Sequence, residues 1–81
     1  MRAEDIKQLI EKSITDAEVT VTGEGDHFEA TVVSALFEGK TMVQQHQMVY
    51  GALGQHMHSD IHALALHTYT PEKWASSSRI Q

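Results

Sequence analysis

Six histidines and no cysteine define the coordination chemistry open to this chain. Without thiolates, imidazole is its only borderline-soft metal donor. His27 closes the run GEGDH, a turn flexible enough to present a ring, and His62 opens the apolar run HALALHTYT. At either place the commoner fate of a histidine is solvation or a hydrogen bond to a backbone carbonyl. His56 and His58 join His62 in QHMHSDIH, which invites a zinc or nickel reading. A structural zinc site normally takes four ligands, however, and the spacing HxH on one short helix aims the two rings in different directions. Scattered surface histidines are the expectation for that pair. His46, set among glutamines, and His67, within the last apolar run, have no partner visible in the sequence.

Other chemistries find less support. Ser34, Ser59 and the run of residues 76–78 lack the context of a nucleophile elbow, and the carboxylates are dispersed on polar faces. No phosphate-binding loop is present. The chain is therefore expected not to be an enzyme. Residues 51–54, GALG, spell the GxxG that clamps a nucleic-acid backbone in KH domains. The interior Ala-Leu offers phosphates nothing, so a helix-ending glycine pair is the better account. Eleven carboxylates against six Lys and Arg give a net charge of −5, a poor field for counterion release from nucleic acid. Protonating all six histidines would carry that charge to +1, so the surface responds to mild acid.

These residues must be positioned by a small body. A chain of 81 residues forms one domain, expected to bury only about 60–65% of its unfolded surface, with no room for a deep cleft. No apolar run reaches membrane-spanning length, the N-terminus does not read as a signal peptide, and the lack of cysteine suits a reducing compartment. A cytoplasmic location is expected.

Residues 4–15 set Ile6, Leu9, Ile10 and Ile14 at helical spacing, with Glu4 and Asp5 near the positive end of the helix dipole. Two alternating runs, EVTVT and FEATVVS, flank a Gly-rich turn and predict a β-hairpin. Leu36 and Phe37 are too apolar to stay in solvent and are expected against the core. Thr41 and Gln44 form a plausible capping box for a second helix whose apolar set is Met42, Val43, Val49, Tyr50 and Leu53. A short helical piece follows over residues 55–59, then a third strand. Thr70 and Pro71 open a final short helix from which Trp74 folds back, with a frayed tail over residues 76–81. The core of the domain is thus expected over residues 4–75. The order α-β-β-α-α-β-α predicts an α+β domain with a three-stranded mixed sheet and helices packed on one face.

GDHF in the hairpin, LFEGK before the second helix, VYGAL at its end and IHALALHTYTPEKW near the C-terminus together resemble the BolA family, in its short bacterial IbaG-like branch. The likeness covers residues 19–74, and it is the order and spacing of the fragments, ending at TPEKW, that make it specific. It implies the class II KH-like topology, in agreement with the element order. It also implies an adaptor that pairs with a monothiol glutaredoxin and shares a [2Fe-2S] cluster in iron-sulfur trafficking or iron and stress responses. The ligands carried over by motif are His62, in IHA, and His27, in the hairpin loop, with the glutaredoxin and its glutathione supplying thiolates. Iron in such centres does accept imidazole nitrogen. No cluster is expected on the isolated chain. One departure stands out: Asp60 precedes Ile61, where the family usually carries arginine or a similar residue. That removes a cation beside the site. The alternative implied by the family is a DNA-binding regulator using the helix-turn-helix of residues 41–59, with Gln44, Gln45 and Gln47 as candidate contacts.

Overall fold

A computed structural model describes all residues except Asp26, Asp60, His62 and Gln81, and all side chains except those four and His58, Ser78, Arg79 and Ile80. The elements run α1 (Ala3–Ser13), β1 (Glu18–Glu24), β2 (His27–Val33), a single 3-10 turn (Ala35–Phe37), α2 (Met42–Leu53), α3 (His56–Ser59), β3 (Ala63–Tyr69) and α4 (Pro71–Ile80). The sheet has the order β1-β2-β3, with β1 and β2 antiparallel and β2 and β3 parallel. The α+β class and mixed sheet expected from the sequence are those observed.

Alternation decides which face is buried. Phe28, Ala30 and Val32 on β2 and Val19 and Val21 on β1 share the face covered by α1 and α2. Ile6 and Ile10 of α1, Ile14 just beyond its end, Val49 and Leu53 of α2, Phe37 and Ile61 complete the core. The opposite face carries Glu18, Thr20, Thr22 and Glu24 on β1, and Glu29 and Thr31 on β2. Tyr69 lies on that side too, next in register to Val33, and Trp74 of α4 packs on it with ring centroids 5.2 Å apart. Trp74 folds back as the sequence predicts.

The helix starts were legible locally. In α2 the Gln44 N–H donates to Thr41 Oγ1 at 3.1 Å and the Thr41 N–H donates to Gln44 Oε1 at 2.9 Å, the reciprocal capping box. At α1 the Arg2 N–H donates to the Asp5 carboxylate, and at α4 the Lys73 N–H donates to Thr70 Oγ1.

Three expectations need correction. Of the apolar set assigned to α2, Val49 and Leu53 are buried, whereas Met42, Val43 and Tyr50 are 56%, 66% and 39% exposed. The buried line is instead Gln45–Val49–Leu53, and Val43 and Tyr50 lie about 100–120° around the helix from it. Phe37 is fully buried but Leu36 is not, because successive residues of a 3-10 turn point about 120° apart. Finally, α4 is longer than the short helix expected, its backbone running on to Ile80 through residues 76–80. Serine is a tolerable helix former once a capped first turn is in place.

Candidate metal centre

His27 is the first residue of β2, exposed, and directly after the hairpin turn. Its place is fixed from two sides: it pairs with Glu24 of β1 and, in the parallel register, with Ala63 of β3. The turn closes through only two residues, and Gly25 adopts φ +70, a conformation that costs glycine little. Gly23 is more constrained. At φ +123, a Cβ there would collide with the His27 carbonyl oxygen and come within 2.8 Å of Phe28 Cα. The close approach of the two strands at the base of the turn therefore depends on glycine, and it sets the backbone that carries His27.

His62 lies outside the described residues. Its sequence neighbours are described: Ile61 is buried in the core and its N–H donates to the His56 carbonyl at 2.8 Å, and Ala63 opens β3 opposite His27. Asp60, the departure from the family pattern, also lies outside the described residues. Among the described residues, no three His, Asp or Glu side chains gather closely enough to hold a metal ion.

The remaining histidines separate by environment. His67 Nε2 lies 3.1 Å from Glu29 Oε2 across the β2–β3 pair, a partner that sequence reasoning missed because it is 38 residues away. His46 sits half-buried on α2, its ring meeting Tyr50 edge-on at 6.4 Å, with its Nε2 shut away from solvent and without a hydrogen-bond partner among the described residues. His56 opens α3 and lines a cleft with Asp5, Gln8 and Lys12; the His58 side chain is not described.

The nucleic-acid alternative meets two structural obstacles. Gln45 is buried and fully engaged: its Nε2 donates to the carbonyls of Lys40 at 2.9 Å and Phe37 at 3.3 Å, and its Oε1 accepts from Thr68 Oγ1 at 2.7 Å. It is a structural clamp, which removes it from the candidate base contacts. Gln44 is held in the capping box. In the GxxG segment, Gly54 caps α2 with positive φ while Leu53 is buried in the core, so half of the interior dipeptide cannot face a phosphate. No described helix is long and apolar enough to cross a membrane.

Comparison with known proteins agrees with this topology. Residues 5–73 match the BolA-like protein family. The chain is 33% identical over 81 residues to the acid stress protein IbaG of Escherichia coli (strain K12), covering 99% of this chain and 96% of that one. It is 43% identical over 56 residues to the DNA-binding transcriptional regulator BolA of Haemophilus influenzae, covering 69% of this chain and 54% of the relative. The structure of a BolA homologue from Coxiella burnetii superposes with a TM-score of 0.84 at 49% identity, covering 93% of this chain and 97% of the other. With the family motifs, the strand order and the fold all in agreement, this chain belongs to the BolA family.

Proposed function

We propose that this protein is a binding adaptor rather than an enzyme, pairing with a monothiol glutaredoxin and contributing His27 and His62 to a [2Fe-2S] cluster held between the two chains. The observation that carries the reading is the position of His27: exposed, at the mouth of a tight hairpin, and level with Ala63, the residue that follows His62 in the chain. Imidazole nitrogen is a competent donor to such iron, and this chain owns no thiolate to compete with it. Two imidazoles leave the remaining iron positions to the thiolates of the glutaredoxin and its glutathione. The chain's own part is to fix a donor at the turn through the Gly23 close approach and to carry the IHA segment into β3.

The test is anaerobic co-purification with a monothiol glutaredoxin, followed by visible absorption and circular dichroism. His62→Ala should abolish or alter the cluster spectrum of the complex while leaving the fold intact, His62→Cys should partly restore it with a shifted spectrum, and His27→Ala should show a weaker loss. His46→Ala and His67→Ala should leave the spectrum unchanged. A cluster unaffected by His62→Ala would end the site assignment.

The regulator reading has in its favour the name of the Haemophilus influenzae relative. Binding to a DNA sequence that persists at physiological salt and is lost on changing Gln47, an exposed residue of α2, would favour it.

A further inference from the structure

We propose that the outer edge of β3 is a self-association surface, on which a second copy of this chain adds its own β3 antiparallel to make a continuous six-stranded sheet. In the order β1-β2-β3, β3 is an edge strand of seven residues. A cleft of about 140 Å³ is lined by four consecutive residues of it, Leu66, His67, Thr68 and Tyr69, together with Met42 and His46 of α2. Consecutive strand residues point to opposite faces, so what all four share is the backbone edge. β2 occupies the inner edge, and the cleft therefore follows the outer one, with α2 as its wall.

Edges of this kind are commonly blunted by lysine, proline, inward charges or a bulge. The strand ALALHTY carries no Lys, Arg, Asp, Glu or Pro, and its seven residues run in unbroken register with β2. Its sequence is also complementary to itself. Paired antiparallel about Leu66, each small residue meets a large one on the open face, Ala63 opposite Tyr69 and Ala65 opposite His67 of the second copy. On the core side Leu64 meets Thr68 and Leu66 meets Leu66. The incoming Leu64 would then enter the cleft beside Met42 and Thr68, whose side chains are already in contact at 3.4 Å.

The other edge strand gives the opposite result. Self-pairing of β1 about Val21 would place Glu18 directly against Glu24 of the second copy, twice, and like charges directly opposed across strands are destabilising. The two edges thus differ in charge and in fit, and β3 is the one that accepts its own kind.

Sedimentation equilibrium of the full chain up to about 1 mM, enough to half-populate a dimer with Kd in that range, reads the association. NMR dilution series locate it. We expect a concentration-dependent dimer whose amide shifts on dilution fall within residues 63–69. Ala65→Lys, at an exposed position, should weaken it by about tenfold or more, because a long cation replaces the small residue facing His67. Ala63→Lys, opposite Tyr69, should act likewise. Thr22→Lys, an exposed substitution on β1 with the same change in net charge, should leave association unaltered. Circular dichroism confirms that each variant is folded. A chain that stays monomeric at that concentration, a dimer whose shifts lie on β1 or α1, or one indifferent to both alanine substitutions would overturn the proposal. So would a β3 edge that takes only an extended peptide of another protein.

Discussion

Gln45 concentrates more of the fold's polar accounting than any other single side chain described. Both hydrogens of its amide and its oxygen are used, joining the segment before α2 to Thr68 of β3. Gln45→Ala would take its side-chain donor from the Lys40 carbonyl and leave the Phe37 carbonyl with only the Lys40 N–H. It would leave the Thr68 hydroxyl with only the weak acceptor Met42 Sδ, beside a cavity where the amide had been. The expected loss is about 2–3 kcal/mol in urea denaturation, larger than for an ordinary surface glutamine such as Gln47. Nothing in a run of glutamines marks the middle one for this task; its partner is 23 residues away and only tertiary contact reveals it. The histidines carry a different prediction. Iron takes the neutral imidazole, so protons compete for His27 and His62 as pH falls. A heterodimer held by these rings should lose its cluster at a higher pH than an all-thiolate glutaredoxin homodimer does, and parallel pH titrations of the two visible spectra measure it. Equal acid sensitivity would remove the histidines from the ligand set.

Among the elements, the hairpin is where sequence and site meet most directly. Gly23→Ala should cost at least about 2 kcal/mol by thermal or urea unfolding, because it combines positive φ with a backbone collision. Gly51→Ala provides the contrast: it sits in α2 with open space around it, and alanine there should be neutral or stabilising by up to about 1 kcal/mol. Alternation and capping residues made the hairpin, the capped start of α2 and the third strand readable, since those signals act over two to four residues. The crossover before the third strand predicts a parallel partner in the mixed sheet, but not that the partner is β2, because alternation fixes the buried face and not the neighbour. α2 misled for a related reason: Met42, Val43 and Tyr50 look like core residues by type, while the real buried line begins with a glutamine. At the candidate site, the family motif singled out His27 and His62; composition alone could not, since it contains six histidines of equal standing.

For the whole molecule, net charge and size set limits that no one residue lifts. With −5 overall and Gln45 and Leu53 withdrawn into the interior, binding to DNA should be weak, independent of sequence and gone at physiological salt on a heparin or DNA column. The purified chain alone, reconstituted anaerobically with iron and sulfide, should retain no stoichiometric cluster, because two imidazoles do not complete the coordination of two irons. A stable cluster on the monomer would exclude the shared arrangement.

The pairing of β2 with β3 also sets an order of events. His27 and Ala63 are neighbours in the sheet but 36 positions apart in the chain, whereas Glu24 and His27 are joined by two residues. Closing a short hairpin is entropically cheap and fast; bringing a distant parallel strand alongside must wait for the intervening helices to dock. During synthesis the His27 hairpin can therefore be made long before the segment that follows His62 joins the sheet. The last strand to arrive should also be the first to leave: in native-state hydrogen exchange, amides of β3 should open at lower free energy than those of the β1–β2 ladder. The end of the sheet that carries His27 is consequently completed only once the chain has been made through β3 and its crossover has closed.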